Sequence, residues 1–246
     1  MRGFQIGRGA LLVAAGVCLA FSLGRVDRLR AAAAELLESS YTIHSRGMKV
    51  GELKTVCSFV PRNDRKALKF ESSTRIDANL LVYAYRLQTR EEAIVTDDGT
   101  VRYERSTTEN GDQTRVDGRL DHGRFLLEIT ENGRRRTMAV SRQSYDYTTM
   151  ECPEVRMGRE GEEMTVRLLD LETLAVVTRR YRWVKSEDVE VSGRRIHCRV
   201  VDFEDPNKRC RRWIKPDEMG AIIARQDGKG KGGSYSLRIA QLKGGA

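Results

Sequence analysis

Residues 191–242 read VSGRRIHCRVVDFEDPNKRCRRWIKPDEMGAIIARQDGKGKGGSYSLRIAQL. Runs of six to nine residues rich in Ile, Val, Trp, Phe and Tyr are closed in turn by Asp205-Pro206-Asn207-Lys208, by Pro216-Asp217-Glu218 and by the Gly/Lys tip at 228–233. Branched and aromatic side chains suit the pleated surface of a strand, whereas Pro, Asn, Asp and Gly supply the backbone angles of tight turns. The stretch predicts a four-stranded antiparallel meander. A turn centred on Pro206 and Asn207 sets Phe203 opposite Cys210 and Cys198 opposite Lys215.

Upstream the same period of two recurs. Strands are predicted at 41–46, 49–60 and 66–76, and a longer one within 80–95, where Leu81, Tyr83, Tyr85 and Leu87 alternate with other residues. Four more follow at 101–108, 113–120, 124–130 and 134–140. Asp98-Gly99, Asn110-Gly111 and Asn132-Gly133 stand between strands, and such pairs tolerate the positive φ of a tight hairpin. Residues 144–159 break the rhythm around Cys152-Pro153 and read as a short helix or a crossing loop. Strands then resume at 164–169, 174–186 and 189–191. The fold class is mainly β: one large curved antiparallel sheet, a half-barrel or open barrel of meander topology, with one or two short helices and an N-terminal hydrophobic helix.

Arg2 and Arg8 precede the uncharged run GALLVAAGVCLAFSLG at 9–24. A basic start followed by an apolar run is the layout of an export signal. Its 16 residues fall short of the roughly 20 that a bilayer span needs. Residues 1–24 are therefore a signal peptide or a signal anchor, with cleavage left open. Val17 fills the place before Cys18 where a lipoprotein signal wants a small residue. Val26, Leu29, Ala33, Leu36 and Leu37 lie at helical spacing, so 25–40 is expected to be an amphipathic helix or stalk. The remainder, 41–246, is one β-rich domain. It is expected in the periplasm or cell envelope, held at the inner membrane if the signal is retained.

The net charge is +9, of which +4 falls in the first 34 residues and +5 beyond. Beyond residue 34 the charges are interspersed, 39 basic against 34 acidic, which reads as a solvated β face rather than a phosphate-tracking groove. Nucleic acid is not an expected partner. The clusters Arg134-Arg135-Arg136 and Lys208-Arg209 with Arg211-Arg212 are open to anionic lipid, yet strand alternation sends half of each to the opposite face.

Cys57, Cys152, Cys198 and Cys210 are disulfide candidates with three connectivities, or else buried thiols. His44, His122 and His197 are scattered, and no Cys-x-x-Cys, His-x-x-x-His, nucleophile elbow or phosphate loop accompanies them. No catalytic residue, metal or cofactor is expected. Tyr83, Tyr85, Trp183 and Trp213 stand at strand positions and are candidates to line an apolar ligand cavity, against the alternative of core packing.

Tyr83-x-Tyr85, Glu91-Glu92, Asp98-Gly99, Ser106-Thr107-Thr108 and Asn110-Gly111, with Gly193, Trp213-Ile214 and Tyr235-x-Leu237 downstream, resemble a family of exported bacterial proteins of unknown function. That family is similar to the lipoprotein-carrier-like half-barrels of the Gram-negative envelope. Ala93-Ile94 stands where the family pattern has an aromatic residue. The resemblance implies a sheet curved around a helix, with an apolar cavity and no known reaction. The expectation is a non-enzymatic envelope protein that binds an apolar or amphipathic ligand such as a lipid. The alternative is a solidly packed structural protein whose basic surface touches membrane or wall.

Overall fold

The computed structural model describes residues 36–62, 65–80, 83–230 and 233–244. The helix expected over 25–40 is overtaken at its end: Leu36 and Leu37 open a strand in which Leu37, Ser39, Tyr41 and Ile43 are buried in alternation. The rest of that segment, and the uncharged run before it, lie outside the described residues.

The chain runs through β1 (Leu36–Ser45), β2 (Met48–Arg62), β3 (Arg65–Leu80), β4 (Tyr83–Thr96), β5 (Gly99–Glu109), β6 (Asp112–Asp121), β7 (Arg124–Glu131) and β8 (Arg134–Ser141). After a crossing it continues through β9 (Tyr147–Thr148), β10 (Glu163–Asp170), β11 (Ala175–Val191), β12 (Arg194–Glu204), β13 (Lys208–Asp217), β14 (Gly220–Gly230) and β15 (Gly233–Lys243). All fifteen lie in one unclosed sheet, ordered from β8 down to β1 and then from β15 down to β9. β1 and β15 pair with each other, and this seam joins two meanders. Among the described residues the one parallel contact is the two-residue β9 on β10.

Local chemistry dictates the hairpins. Asn110 and Gly111, like Asn132 and Gly133, both carry positive φ, as the preferred two-residue hairpin turn requires. Each asparagine also ties its hairpin sideways: Asn110 Oδ1 accepts from the Arg86 amide and Asn132 Oδ1 from the Gln113 amide, both at 2.8 Å. The predicted register at Pro206 holds, with Phe203 opposite Cys210.

One face of the sheet carries the main core, from Tyr41, Leu53, Phe70 and Tyr103 through Phe125 and Ile129 to Tyr181, Phe203 and Leu237. Among the described residues no α-helix fills it, and the helical pieces are short 3₁₀ turns at Arg142–Ser144 and Pro153–Arg156, which fall where the sequence predicts a short helix or crossing loop. Residues 142–157 cross the gap between β8 and β10 and contribute Tyr145, Met150 and Met157 to the core.

Buried polar contacts hold this crossing in place. Glu151 Oε1 accepts from the amide and hydroxyl of both Thr100 and Thr148, at 3.0–3.2 Å. Glu154 meets Arg212 at 2.7 Å, with both side chains no more than 3% exposed. Arg199 Nη1 donates to the carbonyls of Val155 and Met157 at 3.0 and 2.8 Å.

Register slips bend the C-terminal meander. Between β11 and β12 the slip falls at Trp183/Lys185, between β13 and β14 at Trp213/Ile214, and between β1 and β15 at Ser40/Tyr41. An extra residue on one strand kinks it and increases its twist. The long β11 consequently swings its end towards β15, where Ser192 Oγ donates to the Ala240 carbonyl at 3.1 Å. The face opposite the main core thereby becomes concave across β11 to β15. A second apolar cluster of Val191, Cys198, Val200, Trp213 and Ala224 fills the closed end of this concavity.

Candidate ligand groove

The open end of the second concavity is a groove of about 1180 Å³. Strand register builds its walls as transverse rows. One row crosses six strands and reaches a seventh: Glu163, Arg182, Asp202, Arg211, Asp227, Ser236 and His44. Another runs Arg180, Glu204, Arg209, Lys229 and Ser234. A third, nearest the apolar cluster, runs Val200, Trp213, Arg225 and Arg238. Because successive strand residues face opposite ways, Arg180 and Arg182 turn outward while Tyr181 between them packs into the main core, and Tyr181, Phe203, Cys210 and Tyr235 of that core also border the groove.

Eight cationic side chains line the groove (Arg46, Arg180, Arg182, Arg209, Arg211, Arg225, Lys229 and Arg238) against four carboxylates (Glu163, Asp202, Glu204 and Asp227). The net +4 is most of the +5 carried beyond residue 34, so the charge excess is gathered here rather than interspersed. Some of the arginines are internally matched. Arg211 grips Asp202 with two bonds of 2.6 and 2.8 Å, Arg180 meets Glu163 at 2.5 Å and Arg209 meets Glu204 at 3.2 Å. Arg225 and Arg238 share the single carboxylate of Asp227 at 2.5 and 3.6 Å. Trp213 lies beside them, with the Arg225 guanidinium 4.3 Å from its ring centroid and its indole N–H donated to the Glu187 carboxylate.

The aromatic candidates separate. Trp213 lines the groove, whereas Tyr85 and Trp183 belong to the main core, and Trp183 donates its indole N–H to the Lys185 carbonyl at 3.0 Å beneath Arg199. The Tyr83 side chain lies outside the described residues. The basic cluster in β13 splits as alternation requires: Arg209 and Arg211 reach the groove, while Lys208 and Arg212 turn inward. On β8, Arg135 and Arg136 pair with Glu128 and Glu131 on the exposed edge hairpin.

Cys57, Cys152, Cys198 and Cys210 are all buried, and no disulfide joins them. Cys198 sits in the second cluster and Cys210 in the main core, so a hairpin bond between them is blocked by the sheet itself. Burial pushes the Cys57 thiol up to about 12 and the Cys198 thiol up to about 11, which keeps both protonated at neutral pH. Among the described residues no group of three or more His, Cys, Asp and Glu is placed to hold a metal ion. His122 pairs with Asp121, His197 with Asp188, and His44 stands at the groove edge, far apart in the sheet order.

Inside the sheet lies a feature that sequence reading missed. Arg105, Arg179, Lys208 and Arg212 face Glu154, Asp170, Glu172 and Asp205: Arg179 meets Asp205 at 2.7 Å and Lys208 meets Glu172 at 3.2 Å. Arg179 and Arg212 both stack on Phe203, at 4.7 and 4.8 Å from its centroid. Burial pushes the Glu172 carboxyl up against the pull of Lys208. Glu91 also lies within reach of Arg105, so the four cations carry no excess here, and the network is suited to fixing the crossing segment and the 205–208 turn rather than to attracting an anionic guest.

The fold is similar to that of a crystallised β-barrel-like protein of a domain of unknown function, DUF1849, from Brucella abortus. The TM-score is 0.58 at 13% identity, covering 86% of this chain and 98% of that one. At that identity the likeness is one of fold. No family model matches the chain, and no curated protein matches it in sequence.

Proposed function

We propose that the chain is an exported, non-enzymatic protein of the cell envelope that binds an amphipathic, anionic envelope molecule such as a lipid, and that the groove, not the main core, is the site. The observation that carries this reading is the placing of net +4 around Trp213 at the edge of an apolar cluster. A concave site of this size with an apolar base and convergent polar groups suits an amphipathic guest, and clustered like charge raises the local concentration of anions. The basic start and apolar run at the N-terminus support export to the periplasm, with retention at the inner membrane if that segment is uncleaved. Kinship with lipoprotein-carrier-like half-barrels belongs to the same reading.

The packed main core favours a second reading, in which the basic face docks on membrane or wall without enclosing a ligand. Native mass spectrometry of the chain isolated from the envelope separates the two. The expected result is an adduct of lipid mass that is lost on Trp213→Ala while the bare protein remains folded. A bare wild-type protein that sediments with anionic vesicles no better than with neutral ones would sink both readings, whereas a bare protein with anionic preference leaves only the second.

A further inference from the structure

We propose that the groove selects amphiphiles whose head is a phosphate monoester, and that Asp227 is a place-holder anion occupying the arginine pair, Arg225 and Arg238, that receives this head. The inference rests on the reading of the groove as the ligand site. Arg225 and Arg238 are cross-strand neighbours on β14 and β15, and both guanidiniums reach the one Asp227 carboxylate. Glu187, which Lys185 and the Trp213 indole also hold, lies beside Arg225, so Lys185, Arg225 and Arg238 face two carboxylates and one positive charge stays unmatched. Burial first, and the neighbouring Arg225 next, lower the Arg238 pKa, as expected of like charges pressed together.

The pair is also held ready. Stacking on Trp213 orients the Arg225 fork, and Ser236 Oγ, which donates to Asp227 Oδ1 at 2.8 Å, adds a hydroxyl donor at the same spot. A carboxylate head would only repeat what Asp227 supplies. A phosphate monoester carries a charge of about −1.5 to −2 at neutral pH with three acceptor oxygens, matching two guanidinium forks and a hydroxyl. The head alone fills a small part of about 1180 Å³, which leaves room for a tail to lie along the groove over Trp213 and the aliphatic stems of its arginines.

Isothermal titration calorimetry of the full chain tests this with three probes: dihexanoyl phosphatidic acid as monomer, dihexanoyl phosphatidylcholine, and inorganic phosphate. Phosphatidic acid is expected to bind about tenfold more tightly than either of the others, because one charge-assisted contact is worth about a factor of ten or more. Arg238→Gln should weaken it by about tenfold on the same grounds. Asp227→Asn, nearly isosteric and still able to accept from Ser236, should tighten it several-fold by releasing both arginines. A misfolded variant loses affinity, so a gain at Asp227 cannot arise from unfolding. Equal binding of the two lipids, or no gain in Asp227→Asn, overturns the head assignment and leaves the amphiphile reading standing. Inorganic phosphate binding as tightly as phosphatidic acid overturns the need for a tail, and silence from both lipids overturns this inference together with the reading beneath it.

Discussion

Glu154→Ala should be among the most damaging single substitutions in the chain. The carboxylate is fully buried, sits on the segment that crosses between β8 and β10, and meets Arg212 at 2.7 Å from a position 58 residues away in sequence. Deleting it leaves a guanidinium enclosed without its counter-charge, a change worth about 3–5 kcal/mol. That is a large fraction of the roughly 5–15 kcal/mol that stabilises an ordinary domain. With about 2 kcal/mol per M in urea, the unfolding midpoint should fall by roughly 2 M.

The control is Arg135→Ala, whose partner Glu128 is solvent-exposed and whose loss should cost about 0–1 kcal/mol. Replacing both partners, Glu154→Leu with Arg212→Met, should recover much of the loss. It stops short of wild type by about 1–3 kcal/mol, because Gln226 Oε1 loses the Arg212 donor it accepts from at 2.7 Å. Urea unfolding followed by circular dichroism reads all four proteins. A midpoint for Glu154→Ala that matches Arg135→Ala would refute the claim that buried charge latches the crossing segment.

Asn110→Ala removes both a tolerant residue at φ +50° and the bond to the Arg86 amide, and should cost roughly 1–2 kcal/mol in thermal or urea unfolding. Asn110→Gly restores the backbone freedom and should cost less; equal losses would show that the turn geometry is not what Asn110 supplies. Two carboxyls should impose opposite pH trends on stability. Burial raises the Glu172 pKa from 4.5, so its contribution is full below that value and is lost as pH rises through the folded pKa; hydrogen bonds from Arg167 lower the Asp146 pKa from 3.8, so its contribution is full above that value and is lost as pH falls through the folded pKa. Unfolding midpoints from roughly pH 3 to 7 should therefore show wild type losing ground to Glu172→Gln on the alkaline side and to Asp146→Asn on the acid side, and parallel curves would contradict both assignments.

The strand plan was legible because its signals are local. Asn-Gly pairs demand one turn type, and alternation at Lys208-Arg209 and Arg211-Arg212 announces that half of those cations must turn inward. The turn centred on Pro206 and Asn207 likewise placed Phe203 against Cys210. At the boundary near residue 36, the helical preference of an Ala-rich run gives way to pairing on both sides, because Leu36–Ser45 bonds to β2 and β15 at once and propensity is a weak prior against a ladder. What stayed hidden was non-local. Nothing in a single strand shows the extra residue of a bulge, since a bulge exists only relative to its partner, yet slips at Trp183/Lys185 and Trp213/Ile214 fall in the strands that wall the groove. The partners of the inward cations were hidden for the same reason: Arg179 finds Asp205 only when β11 and β12 pair, and Arg212 finds Glu154 only when the crossing segment packs on the sheet.

The two faces of β10 to β15 solve opposite electrostatic problems with one alternating sequence. On the inner face charges are removed from water, so each cation needs a carboxylate within reach, and Arg179, Lys208 and Arg212 meet that demand with Asp205, Glu172 and Glu154. On the outer face water remains, an unmatched cation is tolerated, and eight stand against four. Had solubility been the only constraint on the outer face, the excess would be spread over all fifteen strands, since dispersed charge serves that end as well with less self-repulsion. Its confinement to the one concave stretch beside Trp213 runs against that expectation, and the anionic guest proposed for the groove would relieve it.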